Sequence, residues 1–299
     1  MHMQATTGPT AFAIIVGSMK SGSSSLFDLL RLHPALCPCV EKEPQYFSGP
    51  YQWGRGWDWY RGLYEGFDPT VHRYGLEAST DYAKLPYMDH VFERMKRRPD
   101  VRFRFVYIMR HPIARIVSHH KHAALTGYEL GHTRPDRTDF SFDAGGVSSV
   151  AIDLTRYARH LDAYVDAFGR DAILPVLFED MLADPQTVLD TVCDFLEIAR
   201  VSNSDLPKSN EASAKFSDPT WHKLSNVRML RRIAHGVVPK SVRHRLYLSQ
   251  SARSNALTQG RFEMVRNEEA FVLEELRDDL KRLHDTYGID AATRWSITA

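Results

Sequence analysis

The sequence predicts an α/β protein with a central parallel sheet flanked by helices. Apolar runs of strand length, too short to cross a membrane, recur at 12–16, 101–109 and 172–182. A helical pattern follows each of them, at 26–30, after Pro112 and at 185–196. Strand, helix, strand, helix order implies parallel pairing through right-handed crossovers.

In chain order, residues 1–11 read as a frayed tail. The first strand, FAIIV at 12–16, leads into a turn holding Gly17, Lys20, Gly22 and a run of serines. Leu26, Phe27, Leu29 and Leu30 then fall at helical spacing, and Pro34 closes that helix. A glycine-serine turn before a helix aims backbone N–H groups at one spot, at the positive end of the helix dipole. That spot suits a phosphate or sulfate, with Lys20 adding a full charge and Ser23 to Ser25 adding hydroxyl donors. The plain alternative is a serine-rich turn that only caps a helix. Lys20 precedes Gly22, whereas a Walker A loop places its lysine after the last glycine, so this is a variant phosphate loop.

Residues 36–48, LCPCVEKEPQYFS, place Glu41, Lys42 and Glu43 before Pro44, which biases Glu43 toward an extended conformation at a strand end. Taken alone, the three charges are a solvated cluster before a turn. Residues 46–67 are dense in aromatics, with a short helix expected near 57–64. They form either a hydrophobic cluster packed under a loop or a platform for a ring-bearing acceptor. Residues 88–98 read as an amphipathic helix closed by Pro99. The strand at 101–109 ends in RHPIARIVSHHKH. Arg110 leaves the strand, Pro112 opens a helix, and Ser118 lies two turns along it. Arginine suits a phosphate because its planar fork donates two parallel hydrogen bonds. Of His119, His120 and His122, only the outer two share a helix face, and no carboxylate completes a set, so surface histidines are expected rather than a metal site.

Residues 126–150 read as a mobile loop of the kind that covers an acceptor, and 151–168 as one helix. The strand at 172–182 carries Glu179 and Asp180, and 185–196 is a further helix. Residues 202–222 are polar and loop-like. The basic run 228–245 is either a solvated helix pair or a wall against nucleotide phosphates or an acidic acceptor. Residues 271–295 read as an amphipathic helix followed by Gly288.

Composition sets the outer limits. Hydrophobic residues make up 43% and charged residues 25%, as in globular proteins. A chain of 299 residues with no evident linker is expected to be a single domain, 1–299. A net charge of +1 gives no bulk signal for nucleic acid, so any anion site must be local. No transmembrane segment or export leader is expected. Three cysteines point to reduced thiols in the cytoplasm.

Lys20 to Ser25 resembles the 5′-phosphosulfate loop, Lys-x-Gly-[ST]-[ST], of sulfotransferases that use 3′-phosphoadenosine 5′-phosphosulfate (PAPS). Residues 110–118 resemble that family's 3′-phosphate pattern, Arg-[DH]-Pro-x-x-Arg-x-x-Ser, with His111 where aspartate is common. KEPQYF at 42–47 resembles the Lys-Glu-x-x-[FY]-F segment of heparan-sulfate-type and bacterial members. Glu77, Ser79 and Tyr82 match the family's Glu-Lys-[ST]-x-x-Tyr, with Ala78 in place of the lysine. Tyr157, Glu179-Asp180 and Trp295 add support.

The resemblance implies a P-loop nucleotide-kinase-like sulfotransferase fold and an enzyme that takes PAPS as donor, releases PAP and needs no metal. Lys20 would face the transferred sulfate. Lys20, Ser21, Gly22, Ser23, Ser24, Ser25, Arg110, Ser118 and Tyr157 would hold the donor. Glu43 would be the general base, with Glu77 and then His111 as competitors. Glu77, Tyr46 and Trp59 would meet the acceptor, a hydroxyl or less readily an amine on a saccharide-containing molecule or natural product. Two rival readings stand beside it. One is a P-loop kinase, which would need Mg²⁺ and an acidic strand-end ligand such as Glu179-Asp180. The other is a non-enzymatic nucleotide- or polyanion-binding module using the 228–245 run.

Overall fold

The computed structural model describes residues 8–84, 87–126, 147–205 and 264–297. The chain divides into two compact units, 1–119 with 147–207 and 264–299, and 120–146 with 208–263. Most of the expected loop at 126–150, the polar stretch after 205 and the basic run 228–245 lie outside the described residues.

The first unit is built on five parallel strands in the order β2-β3-β1-β4-β5. They are β1 (Ala11–Gly17), β2 (Leu36–Pro38), β3 (Tyr74–Ala78), β4 (Arg102–Met109) and β5 (Ile173–Leu177). Strand β1 is central, and its whole apolar run is buried because helices cover both faces of a parallel sheet. Alternation divides it. Ala13 and Ile15 face Leu26 and Leu30 of α1 (Ser23–Leu30) and the apolar stripe of α9 (Pro185–Leu196). Phe12 faces the other way, onto Trp57 and Tyr60 of α3 (Trp57–Arg61), at ring separations of 5.6 and 5.2 Å. Strand β3 is hard to see in the sequence because Gly75 and Glu77 interrupt its apolar run. Residues 8–10 are not frayed: Thr10 already accepts the Arg102 N–H, and Gly8 accepts from Arg61.

The remaining elements are α2 (Pro50–Trp53), α4 (Met88–Lys96), α5 (Pro112–Thr126), α6 (Ser149–Asp153), α7 (Tyr157–Phe168), α8 (Phe178–Ala183), α10 (Arg266–Tyr287) and α11 (Ala291–Trp295). The single helix expected over 151–168 is broken after Asp153. The Ala151 carbonyl, which would accept the Thr155 N–H in a continuous helix, instead accepts Thr155 Oγ1 at 2.6 Å and Arg115 Nη2 at 2.8 Å. Helix α7 restarts with its first amides on Asp279 of α10, which accepts from Ala158 and Arg159 at 3.0 Å each. The strand expected over 172–182 ends at Leu177, and Glu179 and Asp180 enter the first turn of α8. His119 is not a surface histidine but 2% exposed on the inner side of α5. Among the described residues no helix is long and apolar enough to cross a membrane.

Gly22 shows how tightly the loop after β1 is packed. Its φ of 92° is left-handed, and a Cβ there would lie 2.3 Å from the Phe178 ring. Gly22→Ala combines a strained backbone with overpacking, so it should lose roughly 2 to 4 kcal/mol, read from urea unfolding midpoints at constant slope.

Candidate active site

In an open parallel sheet, ligands sit beyond the C-terminal strand ends where the winding reverses. Here that point flanks β1, since the chain places β2 and β3 on one side before β4 and β5 on the other. The loop 18–22 leaves β1, Ser79 leaves β3, and Arg110 leaves β4.

The loop is held from below. Ser18 N–H donates to Ile108 O of β4 at 2.5 Å, and the Ser18 and Ser21 hydroxyls lie 3.0 Å apart. Ser21 is fully buried, and its hydroxyl also bears on Tyr157. Ser21 was expected among the donor-binding residues; its buried hydroxyl braces the loop. Ser24 and Ser25 are exposed at the start of α1, where helix amides have no intrahelical acceptor. Lys20 stands at the loop's crest with φ 70°.

Charge gathers around Lys20. Burial lowers its pKa most; Glu43 opposes that shift, while Lys42, Arg110 and Arg115 add to it. Residues distant in sequence thus meet within electrostatic range, with cations in excess. That excess fits a multiply charged anion.

Glu43 departs from expectation in its backbone. It is not extended but left-handed, with φ 59°, and Gln45 follows at φ 51°. Tertiary contacts override the pre-proline preference. Lys42 Nζ is 2.6 Å from Glu43 Oε1, Gln45 Nε2 donates to Asp81 Oδ2 at 2.6 Å, and the Phe47 carbonyl accepts from Arg94 at 2.6 Å. Asp81 is itself paired with Lys84, which is only 5% exposed. That lysine stands near the segment whose usual lysine is replaced by Ala78, and sequence reasoning did not single it out.

Arg110 lies with its guanidinium carbon 5.0 Å from the Phe178 ring centroid. Ser118 is half-buried two turns along α5. Tyr157 was expected near the nucleotide. It is fully buried, and its hydroxyl donates to the Arg110 carbonyl at 2.7 Å, so it supports Arg110 from behind. Burial holds the His111 pKa below the usual value, and its backbone N–H donates to Glu179 Oε1 at 2.9 Å. Sequence reasoning also passed over Arg115. It is 0% exposed and donates to Met19 O of the loop at 3.2 Å as well as to Ala151 O. The available signal was the second arginine of the 110–118 pattern.

Two expected acceptor contacts are corrected by burial. Tyr46 is 2% exposed and stacked on Tyr60 at 4.5 Å with 13° between ring planes. It belongs to a packed aromatic cluster, not to a platform. Glu77 is 0% exposed. Burial raises its pKa to about 8, against the opposing effect of the Tyr60, Tyr82 and Ser79 hydroxyls. Trp59 remains half-buried, with the Arg55 guanidinium 3.9 Å from its ring centroid.

By fold and strand-end loop, this is a phosphate-loop-like α/β protein. The chain belongs to the sulfotransferase domain family, which matches residues 12–234. It is 30% identical over 195 residues to heparan sulfate glucosamine 3-O-sulfotransferase 6 of Mus musculus, covering 63% of this chain and 53% of that protein. It is 25% identical over 202 residues to the bifunctional heparan sulfate N-deacetylase/N-sulfotransferase 1 of Mus musculus, covering 62% of this chain and 22% of that protein. The chain thus spans about half the length of the 3-O-sulfotransferase it matches. In fold it is similar to a sulfotransferase from Alicyclobacillus acidocaldarius, with a TM-score of 0.61 at 21% identity over 97% of this chain and 100% of that one.

Glu77 gives the site a pH signature. A carboxyl whose folded pKa is raised from 4.5 to about 8 contributes stability below the lower value that is lost as pH rises through the upper one. Glu77→Gln stays neutral throughout. The melting temperature of the wild type should therefore fall relative to the variant between pH 5 and pH 8, as read by paired thermal melts.

Proposed function

We propose that this protein transfers a sulfuryl group from PAPS to a hydroxyl of a saccharide-containing or natural-product acceptor. The observation that carries the reading is the meeting of Lys20, Glu43 and Arg110 at the strand ends. The family match running through both compact units supports one sulfotransferase domain over the chain. The saccharide class rests on the relatives named for heparan sulfate. Three free, buried thiols support a reducing, cytoplasmic setting.

The chemistry follows from the groups present. Glu43 takes the acceptor's proton as its oxygen attacks sulfur. The bond from sulfur to the bridging phosphate oxygen breaks, and PAP carries away the electron pair. Lys20 and the loop amides stabilise the charge growing on that oxygen. Arg110 and Ser118 hold the 3′-phosphate, far from the reacting atoms, and so fix the donor's position.

The kinase reading fits less well. Both Glu179 oxygens are engaged, by His111 N–H and by Trp295 Nε1 at 3.0 Å, and Asp180 pairs with Arg294. A thermal-shift panel separates the readings. PAP without metal should stabilise more than AMP or ADP; at 100-fold above its dissociation constant it contributes roughly 2.7 kcal/mol. Stabilisation by ATP with Mg²⁺ and not by PAP would favour the kinase.

Arg110→Ala should weaken PAP about 10- to 100-fold and AMP far less, because the lost contact is a charge-assisted hydrogen bond to the 3′-phosphate. Equal losses would place Arg110 elsewhere. Glu43→Gln should slow single-turnover transfer from labelled PAPS by about 10² to 10⁴ while PAP affinity stays level. A variant within about threefold of wild type would remove Glu43 from the role.

A further inference from the structure

Glu77 is the one fully buried carboxyl side chain among the described residues, and the proposed chemistry leaves it without a task. Its surroundings give it one. It sits on β3 opposite Ile14 of the central strand, on the face that packs against the aromatic cluster. Its two oxygens have no partner at strict hydrogen-bond geometry, but the hydroxyls of Tyr60, Tyr82 and Ser79 face it closely enough to favour its charged form.

Two of those hydroxyls hold the segment that carries Glu43. Ser79 Oγ accepts the Gln45 N–H at 3.4 Å, and Tyr82 Oη accepts the Phe47 N–H at 3.3 Å. The third, Tyr60 Oη, accepts from Tyr64 Oη at 3.1 Å. A hydroxyl that accepts in this way has its own proton left to donate. Glu77 is the buried acceptor that all three face. The turn it steadies is the strained one, with Glu43 and Gln45 both left-handed.

We propose that Glu77 is a positioning residue: by orienting the Ser79 and Tyr82 hydroxyls, it holds the 43–47 turn and sets where the Glu43 carboxylate meets the acceptor. This rests on the reading of Glu43 as general base. Glu77 itself touches neither donor nor acceptor.

A double-mutant cycle tests it, using single-turnover transfer from labelled PAPS and PAP binding on the full chain. Glu77→Gln should slow transfer about 10- to 100-fold, the effect of misplacing a catalytic group, with PAP affinity unchanged. Ser79→Ala and Tyr82→Phe should each show a smaller loss of the same kind, and they carry the test if Glu77→Gln does not fold. In a Glu43→Gln background the Glu77 substitution should cost less than about twofold, because a residue acting only through Glu43 has nothing left to position. A full loss that persists in that background, or a parallel loss of PAP affinity, overturns the proposal. Amide exchange gives an answer independent of the base assignment. Glu77→Gln should speed exchange at Gln45 and Phe47 by at least about tenfold relative to β1. If Glu43→Gln leaves the rate intact but exchange at 45 and 47 rises, the base reading fails and the loop anchoring stands. If exchange at those amides is unchanged, the anchoring fails.

Discussion

Glycine at positions 17 and 22 lets two aromatic rings press against the loop that leaves the central strand. A Cβ at Gly17 would lie 2.4 Å from Tyr107 of β4, and one at Gly22 would lie 2.3 Å from Phe178 after β5. The loop is therefore clamped by two neighbouring strand ends, with its crest free. Close packing makes this clamp rigid, because interiors have no slack for an added methyl group. Phe178 also lies under Arg110, so one ring links the loop to the arginine. The candidate donor site depends on that link, and Arg115 reinforces it by holding Met19 from inside the fold.

Around the clamp the chain keeps charges and torsions that isolated segments would not. Glu43, Lys42, Arg110 and Arg115 all act on Lys20, an arrangement in which like charges repel one another. Among the described residues, left-handed torsions at non-glycine positions fall at Lys20, Glu43, Gln45, Glu197 and Ser296. The last two cap helices α9 and α11, where a left-handed residue is routine. The other three belong to the loop after β1 and to the 43–47 turn. Strain of that kind persists only where surroundings over-determine the backbone, and around the 43–47 turn they include hydrogen bonds to Ser79, Asp81 and Tyr82, which follow β3.

The aromatic stretch at 46–67 illustrates how function and stability share material. Tyr60 and Tyr64 are buried against Phe12, and Tyr46 and Phe47 are buried against Tyr60, so together they secure one face of the sheet. Trp59 keeps part of its ring at the surface beside Arg55. A single cluster thus supports the sheet and also the turn that carries Glu43.

The sequence alone determined the α/β class, the central strand and the glycine-serine loop after it, Arg110 at the next strand end, and the caps at Pro112 and Gly288. These are local: an apolar run, a glycine or a proline acts on its own neighbours. The same local reasoning misplaced what depends on distant partners. Pro44 predicted an extended Glu43, but it is left-handed, in a turn held by Ser79, Asp81 and Tyr82. Residues 151–168 read as one helix, but Thr155 and a buried Arg115 take the carbonyl that would continue it. The resemblance set Tyr46 and Glu77 against the acceptor and Ser21 and Tyr157 against the donor, yet packing buries all four side chains. Burial is set by what covers a side chain, and that cover comes from elements tens of residues away.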